Sequence, residues 1–455
     1  MRTISIKKCL LILLIAVSLG VLAFTAPKAY AAEDEQVATS VTEPVTEEPV
    51  TDPMPEYGWT ESDGKWSYTD ENGTAYIGGM FTIGNNKYLF DKDGFILTGI
   101  QNSGSGYYFF SKYGDSPETG LGILVPYKGW EKIDSSIYYF NDNSSVATGW
   151  KTISGEKFYF ANDGKMTTGW TKMNGKTLYF KKTGDFGVKG KLLTGWKRIK
   201  ENTYYFAPDG KDGAKGSLAT GFKKIGKNTF YFRSNGKDGD RGALQTGWQK
   251  VGKYRYFLQT SGKRGVRGKL ITNQIAGSKK LGYAYVDSKG RKVTTKAITL
   301  ATKFVLAHTT SKQSKSEKLK ACYDYLWKNY SYQRIYGLPE AKTLSKDFAE
   351  FMFKNKRGNC FCYGATYACI AKVLGYESRV GTGLIAAARG GMTAHGWAEV
   401  KIKGVWYLCD PDMQMEIPSR SAYMKARESY PYPLRTNNHY TLTFSKAKLV
   451  WKKGK

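Results

Sequence analysis

A chain of 455 residues is too long for one ordinary hydrophobic core and predicts two or three domains. Its formal net charge of +30 points to polyanionic partners. The cysteines show no paired CxxC spacing with histidines, which argues against a metal centre, zinc above all, and the five that follow Cys9 suit a reactive thiol better than a disulfide scaffold.

The first segment reads as a signal peptide over residues 1–31, with a basic start (MRTISIKK), an uncharged apolar run and the small-x-small pattern at Ala29 to Ala31. Its removal lowers the net charge from +30 to +26 and leaves no segment of membrane-spanning length; an uncleaved anchor is the rival reading. Residues 32–56 hold eight acidic and no basic residues, an extended self-repelling spacer.

Over 57–294 the chain repeats itself. Units open at Gly129, Gly149 and Gly169, 20 residues apart, then at Gly195, Gly221 and Gly247, 26 apart, with weaker copies at Gly79 and Gly99. A turn inside each unit separates two short runs. The second run ends in an aromatic pair: Tyr139, Tyr159, Tyr179, Tyr205 and Tyr231, each followed by Phe. Strand neighbours point to opposite faces, so one row packs inward while the other lines a surface, and hairpins this small gain stability by stacking in a solenoid. The Trp slots are Trp130, Trp150, Trp170, Trp196 and Trp248.

The Gly-Trp opening, the Tyr-Phe pair and the Thr-Gly close resemble the cell-wall-binding repeats of Gram-positive surface proteins, which include choline-binding modules. The resemblance implies a secreted protein held at the cell wall or surface by teichoic acid, peptidoglycan or another polysaccharide. It also implies that the five Trp, with Tyr139, Tyr159, Tyr179 and Tyr205, contact that ligand; packing between repeats is the competing role. In choline-binding members a second Trp precedes the Tyr pair. Here that slot holds Ile137, Lys157, Thr177, Thr203 and Thr229, a pattern directed at sugar rings and anionic polymer rather than choline.

From residue 295 to 455 a globular α+β domain is expected. Leu319, Cys322, Tyr323 and Leu326 form one helical stripe. The run from Cys360 to Leu374 reads as a buried helix, with Gly358-Asn359 as its start signal and Gly375 as its stop. Cys360 in the first turn feels the positive end of the helix dipole, whereas Cys362 and Cys369 lie deeper among apolar neighbours. Of the three histidines, His395 stands in a predicted hairpin with strands near 394–402 and 405–410 around Lys403-Gly404. That register pairs Trp397 with Asp410 and puts Asp410 beside His395, with Asp412 as a rival partner. His308 and His439 read as ordinary surface or core residues.

"RGNC", "AHGWAEV" and "GVWYLCDP", with separations of 35 and 15 residues, resemble the transglutaminase-like superfamily, a papain-like arrangement. The resemblance implies Cys360 as nucleophile, His395 as general base and Asp410 as orienting carboxylate, acting on a protein or peptide substrate by acyl transfer or hydrolysis and without a cofactor. Tyr330 and Tyr332 are candidates for an upstream oxyanion contact. Two other readings stand beside it: a non-catalytic surface adhesin, and a wall-peptide hydrolase of the NlpC kind, which the Asp-Pro after "WYLC" disfavours. Charge alone would allow nucleic acid, but no nucleic-acid module is present.

Overall fold

The structure, a computed structural model, describes residues 56–210, 214–334 and 347–454. The expected signal peptide and nearly all of the acidic spacer lie outside the described residues. A row of two-stranded hairpins is followed by a mixed α/β domain.

The twenty strands from β1 (Gly58–Ser62) and β2 (Lys65–Thr69) to β19 (Gln274–Ser278) and β20 (Gly282–Val286) pair into ten antiparallel hairpins among the described residues. The recurring glycine has a backbone reason. Gly129, Gly149, Gly169, Gly195, Gly221 and Gly247 all take φ between 68° and 79°, a region that costs other residues strain. Inside the hairpins Ser154-Gly155 and Asn174-Gly175 are consecutive positive-φ residues, the tight turn that matches strand twist.

Stacking uses both backbone and side chains. Met166 N–H donates to the Ile137 carbonyl, Leu192 to Lys157, Leu218 to Thr177 and Leu244 to Thr203, so each connector is stitched to the preceding hairpin. The Phe row (Phe140, Phe160, Phe180, Phe206, Phe232) is buried, while Tyr139, Tyr159, Tyr205 and Tyr231 are half-buried, the predicted two-faced pattern. Tyr179 is buried with the core instead.

The final hairpin merges with the C-terminal domain. Tyr285 of β20 enters that domain's core and meets the Phe444 ring at 5.3 Å. In the domain itself, α1 (Lys296–His308), α2 (Lys315–Asn329) and α3 (Asp347–Asn355) surround α4 (Cys360–Val373). Ser314 starts α2 with a reciprocal capping box to Glu317, and its buried face is Leu319, Cys322, Tyr323 and Leu326. Two short strands, β21 (Ser331–Tyr332) and β22 (Arg357–Gly358), pair in parallel just before α4. The sheet comprises β23 (Glu377–Ala386), β24 (Met392–Ile402), β25 (Val405–Cys409), β26 (Leu434–Ser445) and β27 (Lys448–Gly454), ordered β25-β24-β23-β26-β27, with α4 on one face. Between β25 and β26 comes the short helix α5 (Pro411–Glu416).

Candidate active site

Cys360 is the first residue of α4. The preceding Asn359 caps the helix through Oδ1, which accepts the Cys362 N–H at 3.1 Å. That cap leaves the Cys360 thiol at the positive end of a 14-residue helix. Burial pushes the thiols of Cys362 and Cys369 up to about 12, and Cys322 likewise, which leaves them inert packing groups. All five described cysteines are free.

Helix and sheet approach closely because each presents a glycine to the other. A Cβ on Gly364 would lie 3.0 Å from the Trp397 carbonyl carbon, and one on Gly396 would lie 2.5 Å from Phe361 Cδ1. This approach sets His395 of β24 against the start of α4, with a ring nitrogen within 4.8 Å of the Cys360 sulfur. On its other side, Nε2 stands 2.7 Å from Asp410 Oδ2. The register of β24 and β25 matches expectation at Glu399 with Leu408 and Lys401 with Trp406, and Lys403-Gly404 supplies the positive-φ turn. It departs at the end of the hairpin. Ladder pairing stops at Ala398 with Cys409, so Trp397 does not face Asp410 across a ladder. Instead Asp410 leaves the strand and caps α5, its Oδ1 accepting the Met413 N–H at 3.1 Å, because Pro411 has no N–H to continue the ladder and fits the first turn of a helix.

Asp410 is fully buried and held from several directions. The Tyr430 hydroxyl donates to Oδ2 at 2.6 Å and the Tyr323 hydroxyl to the main-chain carbonyl at 3.0 Å. Burial drives His395 toward neutrality, but the adjacent Asp410 carboxylate and Cys360 outweigh it and hold the imidazolium form well above the usual histidine range. Asp412 lies on the ring's opposite side, with Oδ2 4.0 Å from Nδ1. Burial, helped by the Asp410 charge, pushes its carboxyl up to about 7, and its Oδ1 has no hydrogen-bond partner.

The two Tyr candidates separate. Tyr330 is buried against Phe304 in the helical core, whereas Tyr332 sits on β21 near the thiol, where burial, Cys360 and Asp412 push its hydroxyl up to about 12. His308 stacks on Tyr325 at 3.6 Å, away from the site. His439 is less ordinary than its sequence context implies: with Arg379 and the Trp397 indole it binds the buried Glu399, so Trp397 is fixed beside His395. Tyr430 and Asp412 carry no sequence signal, since one follows an irregular loop and the other needs the turn into α5 before it faces the imidazole. Cys360, His395 and Asp412 offer three metal-ligand atoms within 4.8 Å of one another. Spacing along the chain does not reveal this, because each comes from a different element.

In the repeat array the Trp slots pack as well as face outward. Trp130, Trp170 and Trp196 lie edge-on at 5.0 to 5.2 Å to Phe158, Tyr204 and Phe230 of the following hairpin. Trp248 meets Phe257 of its own hairpin, and Trp150 is 48 % exposed. Cations of the chain itself sit over these rings: Lys157 over Trp150, Lys292 and Arg255 over Trp248, and Lys151 over Tyr139. A cleft of about 280 Å³ between repeats is lined by Lys176, Thr177, Tyr205, Ser217, Lys223 and Arg241, among others, with no acidic residue.

Comparison with known families agrees with both halves. The profile of the transglutaminase-like superfamily matches residues 301–411, that of the choline-binding repeat matches 147–191, and that of a cell-wall-binding repeat matches 128–143, 194–211 and 220–237. Toxin A of Clostridium novyi is 33% identical over 99 residues, which cover 20% of this chain and 4% of the toxin. Choline binding protein F from Streptococcus pneumoniae is 22% identical over 50% of this chain and 76% of its own, with a TM-score of 0.36. The choline binding domain of Spr1274 from Streptococcus pneumoniae is 24% identical over 21% of this chain and 98% of its own, with a TM-score of 0.16. No helix among the described residues is long and apolar enough to cross a membrane. The chain thus joins choline-binding-type cell-wall repeats to a C-terminal domain of the transglutaminase-like superfamily.

Proposed function

We propose that this protein is an exported cysteine enzyme, held at the wall of a Gram-positive cell by its repeats, that cleaves carboxamide or peptide bonds through an acyl-enzyme on Cys360. The observation that carries this reading is the placement of the His395 ring, 2.7 Å from Asp410 on one side and within 4.8 Å of the Cys360 sulfur at the start of a buried helix on the other.

His395 donates from Nε2–H to Asp410 Oδ2, which leaves the Nδ1 lone pair to take the thiol proton. The thiolate attacks the substrate carbonyl carbon, and backbone N–H groups at the start of α4 face the oxygen that becomes negative. The C–N bond breaks as the imidazolium returns its proton to the leaving nitrogen, and a thioester on Cys360 remains. Water then gives hydrolysis, or an amine gives a new amide; in either case His395 removes the proton of the incoming nucleophile. Asp410, held by Tyr430, keeps the ring in one tautomer throughout.

The repeats take anionic or glycan segments of wall polymers. Basic side chains line the inter-repeat cleft and already occupy the ring faces that a quaternary ammonium would need, which favours polymer phosphate and sugar over choline. The enzymatic reading is tested by incubating the protein with a carboxamide-bearing peptide and a labelled amine. Ammonia release, with or without amine incorporation, is expected from the parent chain and not from Cys360→Ser. A chain that forms no acyl-enzyme under any such condition is an adhesin.

A further inference from the structure

Two carboxylates flank the His395 ring, and the reaction described above uses only one. Asp410 holds Nε2, and Asp412 faces Nδ1 at 4.0 Å while its Oδ1 is buried without a partner. Buried polar oxygens are nearly always partnered, so this one leaves an acceptor open to a ligand beside the ring. The Cys360 sulfur, a His395 nitrogen and an Asp412 oxygen already lie within 4.8 Å of one another. Zinc bonds of about 2.0 to 2.3 Å in a tetrahedron set ligand atoms roughly 3.3 to 3.8 Å apart, so the three need to close by up to about 1.5 Å. The imidazole is also oriented as in zinc centres, with a carboxylate on the ring nitrogen remote from the cation.

We propose that Cys360, His395 and Asp412 form a site for a thiophilic divalent cation of the Zn²⁺ class, which reversibly masks the thiol. Sulfur, imidazole Nδ1 and carboxylate supply three bonds, and the fourth position is open to water. The proton shared between Cys360 and the His395 Nδ1, and that of Asp412 where its carboxyl is protonated, leave to solvent as the metal bonds form, so binding weakens on acidification. No oxidant or reductant takes part. The site uses the thiol of the proposed catalytic reading but does not require turnover.

The test uses the full mature chain and two readouts. Co²⁺, added as a spectroscopic probe, is expected to give one equivalent of a sulfur-to-cobalt absorption band that is absent from Cys360→Ser. Zn²⁺ is expected to slow alkylation of Cys360 by iodoacetamide at least tenfold, with EDTA restoring the rate. Asp412→Asn raises the half-protective Zn²⁺ concentration at least tenfold, each variant being compared with its own metal-free rate, and Asp412→Glu restores part of the affinity. Absence of both band and protection overturns the proposal, as does equal Zn²⁺ affinity in Asp412→Asn. Should Asp412→Asn fail to fold, the parent band and the Glu variant decide. If Cys360 alkylates no faster than an unfolded thiol without metal, the catalytic reading falls while the cobalt band still decides the cation site.

Discussion

Tyr430 and Asp412 give the site its chemical character as much as the three residues that chain spacing singles out. Tyr430 donates to the same Asp410 oxygen that receives His395. Tyr430→Phe therefore leaves a buried carboxylate one donor short, which costs about 1–3 kcal/mol. We expect it to lower kcat several-fold and to move the pH profile, with the fold retained by circular dichroism. Asp412 acts on stability. Its carboxyl sits at about 7 in the folded chain against an ordinary value of 3.8, so the fold binds this proton more tightly than the unfolded chain does. Its contribution is neutral below pH 4, turns against folding as pH rises, and is fully unfavourable above 7, by up to about 4 kcal/mol. Asp412→Asn removes that dependence and should raise urea stability at pH 8 relative to pH 5 by ~1–3 kcal/mol; an equal change at both pH values contradicts the assignment. Cys360, His395 and Asp410 were legible because each stands in a short motif with a physical role. Asp412 and Tyr430 were not, since one faces the ring only after the chain turns into α5 and the other reaches Asp410 from an irregular loop.

At the scale of elements, the site exists because α4 and β24 touch at glycines. A methyl group at Gly396 would meet Phe361, part of the first turn that carries Cys360. Gly396→Ala should destabilise the domain by roughly 1–3 kcal/mol through overpacking and slow Cys360 alkylation by moving thiol and imidazole apart. Loss of stability with unchanged alkylation would mean that the close approach serves packing alone. The start and stop of α4 were readable from Asn359 and Gly375, and the turn of the β24–β25 hairpin from Lys403-Gly404. The end of β25 was not, because Pro411 permits either a strand end or a helix start and Asp410 takes the second by capping α5.

Across the whole molecule a basic repeat array is joined to the domain that carries the thiol, with Tyr285 packed into that domain's core. The 20- and 26-residue periods made the array plain from sequence, but they did not reveal that connector N–H groups stitch each unit to the one before. Phe160, fully buried between units, is expected to cost about 3–5 kcal/mol on replacement by Ala, read as a lower urea midpoint of the array. Retention on purified wall should fall several-fold between about 0.05 and 0.5 M salt and respond little to free choline, since exposed lysines are screened over these distances. Elution by choline at low salt would restore the cation-cage reading. The account turns most directly on the Cys360 thiol, measured by mass spectrometry after iodoacetamide at neutral pH in the metal-free parent chain, His395→Ala and Cys360→Ser. It predicts fast labelling at Cys360 alone, slowed at least about tenfold without the imidazole. Labelling at Cys362 instead, or at Cys360 no faster than in the unfolded chain, would contradict it.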